Sequence, residues 1–158
     1  MSGSDDMTGR EVRTTRVISA SRERVFAAWT DPELLARWWG PKGFTSTFHR
    51  FELKPAGTWE FTMHGPNAMD FNNTCIFKRI EPPSYLEFDH LKEMHYYKAM
   101  VTFTEVPEGT RILWTIRFDT AEELNPIKDF IAKANEENMD KLELILEPVR
   151  AGNFPPQP

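Results

Sequence analysis

An α+β domain, with a curved antiparallel sheet wrapped around a long C-terminal helix, is the fold class that this sequence predicts. Three observations carry it. Asn125 to Val149 returns Ile127, Ile131, Ala134, Leu142, Ile145 and Val149 to one helical face, with Phe130 and Leu146 on its flanks. Asp129, Lys133, Glu136, Asp140 and Glu143 fall on the opposite side. Upstream, runs such as Trp59-Phe61-Met63 and Ile112-Trp114-Ile116-Phe118 alternate at the strand period. The turns between the later runs are of hairpin length, which antiparallel neighbours need. A two-sided helix this long must bury its apolar stripe, and the only large partner on offer is the sheet.

The elements follow in order. Residues 1–10 are small and polar, and read as a disordered lead-in. Glu11 to Ser19 reads as a first strand. Ser21 is placed to cap a short helix in which Val25, Phe26 and Trp29 share a face. Asp31-Pro32-Glu33 opens a second helix with a cap, a proline in the first turn and a charge that suits the dipole. Leu34, Leu35 and Trp38 give that helix its apolar side, and Gly40-Pro41 ends it. Strands are predicted over Phe44–Leu53, around Trp59–His64, over Thr74–Ile80, around Leu86–His90, from Tyr97 and from Ile112. The stretch from His64 through Asn73 reads as a polar loop, and Lys92-Glu93 as a turn. Pro126 suits the first turn of the last helix and Pro148 the approach to its end. One domain therefore spans 11–149, and 150–158 reads as a flexible tail.

Composition narrows the function classes. At 158 residues, 40% hydrophobic and 13% aromatic, the chain can fill a real core. Twelve Phe and five Trp need an interior or a cavity to occupy. A net charge of -5 with no basic run speaks against a nucleic-acid partner. Cys75 is the single cysteine, so no intrachain disulfide forms. Neither a signal peptide nor a membrane span is visible, and the expected location is the cytoplasm.

The stretch Ser21 to Pro41 (SRERVFAAWTDPELLARWWGP) resembles the opening of the helix-grip (START-like, SRPBCC) superfamily, in the branch named after the activator of the heat-shock chaperone ATPase. Pro55 to Phe61, His64 to Asn67, Ile80 to Leu86 and Gly109-Thr110-Arg111 match its rhythm in order. The resemblance runs from Glu11 to Pro148 and implies a helix-grip fold. For function it implies less, since members include lipid and hormone binders, cyclases and domains that act on a chaperone. Two departures stand out. Glu137-Asn138 replaces a Gly-Trp pair common in the branch, and Ala56 replaces the middle glycine of a Pro-Gly-Gly turn.

Trp38 reads as an anchor between helix and sheet, and Trp39, on the next helical direction, as the rim of a ligand site. Inward positions on the strands and the last helix nominate Trp39, Trp59, Phe61, Met63, Phe88, Tyr97, Trp114, Asn138 and Leu142 as ligand-binding. Asn138 lies within the apolar stripe, so its amide needs a strand side chain, a buried water or a ligand. His49, His64, His90 and His95 lie on different elements without metal-ligand spacing, so no metal or cofactor is expected. Glu60, Glu87 and Asp89 alternate out of phase with the apolar residues, toward solvent. No Gly-x-Ser-x-Gly motif or phosphate loop is present, and no catalytic residue is nominated. Binding of a small, mostly apolar molecule between sheet and last helix is the leading reading. A module regulating a chaperone ATPase or another protein, and a cyclase- or hydrolase-like enzyme using the same pocket, are the alternatives; a homodimer stays open.

Overall fold

β-Branched residues favour extended backbone, and Glu11–Ile18 (EVRTTRVI) forms strand β1 in the computed structural model, which describes residues 9–91 and 96–146. Helices α1 (Arg22–Thr30) and α2 (Pro32–Trp38) come next. Their start signals work as the sequence predicts. The Arg24 N–H donates to Ser21 Oγ at 3.2 Å, and the Glu33 N–H donates to Asp31 Oδ1 at 3.0 Å. Strands β2 (Thr45–Phe51), β3 (Thr58–His64), β4 (Asp70–Glu81), β5 (Tyr85–His90), β6 (Tyr97–Val106) and β7 (Gly109–Phe118) complete a sheet of order β1-β7-β6-β5-β4-β3-β2. Every pairing is antiparallel, and the register shifts at Phe48/Arg50 and Phe77/Arg79 add bends that curve the sheet toward the helices.

The last helical stretch is built in three pieces: α3 (Ala121–Leu124), a 3-10 turn (Asn125–Ile127) and α4 (Lys128–Leu146). The Glu123 N–H donates to Thr120 Oγ1, which caps α3. A 3-10 turn rotates about 120° per residue rather than 100°, so Ile127 is out of phase with the helix it precedes. The buried face of α4 is accordingly Ala134, Asn135, Asn138, Met139, Leu142 and Leu146. Ile127, Ile131 and Ile145 are only partly buried and Phe130 is 66% exposed, so the stripe lies to one side of its expected centre. Pro148, Val149 and the tail 150–158 lie outside the described residues, as do 1–8, Lys92-Glu93 and His95.

Between sheet and α1, α2 and α4 lies a core in which Trp29, Trp38, Trp59, Trp114 and five Phe are essentially inaccessible. Trp29 meets Trp38 at 4.7 Å and Trp114 at 5.1 Å, both edge to face, the arrangement that ring quadrupoles favour. Trp38 Nε1–H donates to Ala28 O at 2.9 Å, which makes it the anchor the sequence suggested. Part of one expected loop is strand. β4 starts at Asp70, and the polar run that argued against it finds partners: Thr62 Oγ1 donates to Asn72 Oδ1, and Asn73 meets His90 at 2.7 Å.

Candidate functional site

A cavity of about 290 Å³ lies between the inner face of the sheet and α4. The strand period supplies its floor, through Phe61 and Met63 of β3, Phe71 and Asn73 of β4, Tyr97 of β6, and Trp114 and Ile116 of β7. The helical period supplies its roof, through Phe130, Ile131, Ala134, Asn135 and Asn138 of α4. Trp39, Gly40, Pro41 and Phe44, in the loop after α2, close one side. Exposed Phe130 brings the cavity to the surface. None of these sixteen residues is charged.

Six of the nine nominated residues line this space: Trp39, Phe61, Met63, Tyr97, Trp114 and Asn138. Trp59, Phe88 and Leu142 do not reach it. They are 1%, 1% and 0% exposed, in packed core. Trp59 stacks on Phe77 at 6.1 Å and meets Phe88 at 5.5 Å, and Leu142 sits one helical turn beyond Asn138. Alternation identifies the inner face, but not how far along it the packing is complete. Trp39 is a wall rather than a rim, only 7% exposed. Extended backbone at Trp39 (φ -75°, ψ 119°) ends α2, and its ring lies among Trp59, Phe61 and Trp114.

Three α4 side chains pin the loop that carries Trp39. The Gly40 N–H donates to Asn138 Oδ1 at 2.8 Å, and Asn138 Nδ2 donates to Ala134 O at 3.1 Å. Lys141 Nζ donates to Gly40 O at 2.8 Å and Phe44 O at 3.2 Å, and more weakly to Pro41 O at 3.5 Å. Glu137 Oε1 accepts from the Lys42 N–H at 3.0 Å. Asn138 is therefore satisfied by loop backbone, a partner not among those the sequence offered, while it also borders the cavity. Glu137-Asn138, the departure from the branch pattern, supplies two of the three pins. Burial draws the Lys141 ammonium below its ordinary value, against the pull of Glu137.

Sequence reasoning missed Asn73, Phe71, Phe130 and Asn135. Asn135, three residues before Asn138 and so on the same side of the helix, was findable from spacing alone. It is 6% exposed, and its Nδ2 has no acceptor; nor does Nε1 of Trp114.

Other polar groups are arranged differently from expectation. His90 is 7% exposed, stacks on Tyr97 at 4.6 Å and meets Asn73 Oδ1 through Nε2 at 2.7 Å, beside the cavity. Burial, with a lesser push from Cys75, raises the Tyr97 phenol far above its ordinary value. Glu87 and Asp89 do point away from the core, yet their side chains are only 14% and 12% exposed. Lys98 Nζ binds both, at 3.0 and 2.9 Å, and the neighbouring strands' long side chains shield the outer face there. Also on the outer face, His64 bonds Asp70 at 2.9 Å and Thr47 at 2.7 Å, an exposed row with no enclosing wall. Among the described residues no cluster of three or more His, Cys, Asp or Glu could hold a metal ion, and no helix is long and apolar enough to cross a membrane.

The sequence model of the family described as "Activator of Hsp90 ATPase homolog 1-like protein" matches residues 19–147, most of the chain. The chain belongs to that family. Its solved relatives share the helix-grip fold. A protein from Arthrobacter aurescens is 25% identical with a TM-score of 0.83, over 97% of this chain and 95% of that one. A protein from Nitrosomonas europaea is 18% identical with a TM-score of 0.80, over 89% and 96%. An AHSA1-like protein from Aeromonas hydrophila is 23% identical with a TM-score of 0.71, over 85% and 92%. No curated protein matches the chain significantly.

Proposed function

We propose that this family member binds a small, mostly apolar molecule in the cavity between its sheet and α4. The supporting observation is the cavity itself. Protein interiors pack to the density of organic crystals and leave few voids larger than a water. A cavity of roughly 150 Å³ with apolar walls stays dry and takes benzene, and this one, at about 290 Å³, has room for about twice that. Its walls are aromatic and aliphatic with three amides and a phenol, the pattern of an apolar site with a few orienting groups.

Regulation of a chaperone ATPase or another protein partner has support only from the family's description. A buried imidazole–carboxylate pair at the cavity would favour catalysis in the same pocket; the contact described for His90 is with the Asn73 amide.

Titration with the neutral dye N-phenyl-1-naphthylamine tests the proposal. Dye fluorescence should rise and saturate near one dye per chain. Ala134→Trp, which puts an indole into the cavity from α4, should abolish the rise while the variant still melts cooperatively. A dye response unchanged in a folded Ala134→Trp variant would place the binding elsewhere, and no response in the unaltered protein would contradict the proposal.

A further inference from the structure

We infer that the cavity takes a neutral alcohol or phenol, an apolar body whose one hydroxyl is met by the Tyr97 hydroxyl and the Asn135 side-chain carbonyl. The inference rests on the binding reading above and specifies its ligand.

Which polar atoms of the walls stay free decides the chemistry. Asn138 has both ends of its amide engaged, on Gly40 and Ala134, and Asn73 has both of its own engaged, on Phe71 O and His90. Asn135 Nδ2 and Trp114 Nε1 each expose less than 1 Å², so neither meets a molecule in the cavity. Asn135 still lines the space, and with its nitrogen closed off the amide end left to the cavity is Oδ1. Tyr97, on the facing wall, is held by its ring, stacked on His90 at 4.6 Å and tilted against Phe118 at 5.7 Å. Among the described residues no hydrogen bond engages Tyr97 Oη or Asn135 Oδ1. Tyr97 is only half-buried, yet burial holds its phenol far above the ordinary value, so the surface it keeps is cavity surface and not bulk. The free pair is thus a neutral hydroxyl, which donates and accepts, and a carbonyl, which only accepts. A ligand hydroxyl answers both: it accepts from Tyr97 and donates to Asn135.

Charge sets the other limit. The walls carry no charged residue, and the Lys141 ammonium near the loop is committed to backbone carbonyls. A carboxylate or an ammonium entering here would lose its hydration without gaining a counter-ion. At about 290 Å³ the space suits a body of one or two fused rings with a short substituent.

Three probes on one naphthalene body separate the possibilities: 2-naphthol, which donates and accepts, 2-acetylnaphthalene, which only accepts, and 2-methylnaphthalene, which does neither. Affinities come from equilibrium dialysis at pH 7, corrected for each probe's water-to-cyclohexane transfer, so that walls offering no hydrogen bond give three equal values. Naphthol should exceed methylnaphthalene about tenfold or more, and the ketone should fall between them, since it can use Tyr97 but not Asn135. Tyr97→Phe keeps the ring and removes the oxygen. It should lower naphthol affinity about fivefold, the contribution of one neutral hydrogen bond, and leave methylnaphthalene within about twofold. Asn135→Leu should bring naphthol down to the level of the ketone. If that variant does not fold, the ranking of naphthol and ketone on the unaltered protein decides the same point, since an Asn135 amide turned end for end would put the ketone first. Equal corrected values, a ketone above naphthol, or a naphthol affinity unmoved by Tyr97→Phe would overturn the inference and leave the binding reading standing. Failure of all three probes to bind would overturn both.

Discussion

Asn138 joins α4 to a backbone amide 98 residues away, and its replacement by leucine would leave the Gly40 N–H buried without an acceptor. Asn138→Leu should therefore lose about 1–3 kcal/mol in urea denaturation, despite a gain in apolar character. An unchanged midpoint would mean that water reaches Gly40. The burial of this residue was legible from helical spacing, because period depends only on local sequence. Its partner was not, because nothing local says which loop crosses the helix. Ala56 teaches the complementary lesson. It stands where the branch carries glycine, and its φ is +68°, in the left-handed region that costs an L-residue about 1–2 kcal/mol. Ala56→Gly relieves that strain and returns part of the gain as unfolded-chain entropy. A net rise of about 0.5–1 kcal/mol is expected, read from the same denaturation curves.

At the scale of elements, one arginine ties α4 to the β1 strand it packs against. Arg16 reaches Glu136, Asp140 and Glu143 at 2.8, 3.1 and 2.8 Å, three carboxylates on one row of the helix. Burial opposes the Arg16 charge, but the three carboxylates outweigh it and raise its pKa. Sequence reading placed those acids on the solvent side, and their side chains are 53%, 68% and 46% exposed, so each pair alone is worth little. Removing the arginine leaves like charges stacked at helical spacing. Arg16→Ala should cost about 1 kcal/mol at low salt, and visibly less at 1 M salt. A salt-independent loss would point to packing of the arginine stem instead. The strands were legible as elements because their alternation survives folding unchanged. The phase of the last helix was misjudged because a 3-10 turn at Pro126 resets it, and no hydrophobic pattern announces such a turn.

For the molecule as a whole, burial reaches the titratable groups of the core as well as its hydrocarbon. It raises the Cys75 thiol well above its ordinary 9.0, with help from the Asp89 charge, and raises all three tyrosines, Tyr85 to about 12. Each of these groups holds its proton more tightly folded than unfolded. Its contribution to stability is complete below the ordinary value and is lost as pH rises through the folded one. These groups therefore leave stability unchanged from neutral pH to about 9 and lower it beyond. Tyrosinate absorbance at 295 nm should stay low in the native protein past pH 10 and appear when urea is added. Early, complete ionisation without unfolding would show that the core admits hydroxide. The fold was legible in the sequence because periodicity and turn chemistry pointed to one architecture, as the family's rhythm did. The cavity was legible only in part. Which inner-face residues border empty space depends on how the aromatic volumes sum along the sheet, and that sum put Trp59, Phe88 and Leu142 in packed core.

The five tryptophans offer the most direct test of the central claim, since each indole N–H gives its own signal in a 1H–15N NMR spectrum. Only Trp39 and Trp114 line the cavity, while the Trp38 N–H is tied to Ala28 O away from it. Titration with 2-acetylnaphthalene should shift the Trp39 and Trp114 signals most, saturably and at one midpoint, with Trp38 scarcely moved. No shift at saturating probe, or shifts of similar size at all five indoles, would contradict the existence of a binding cavity between the sheet and α4.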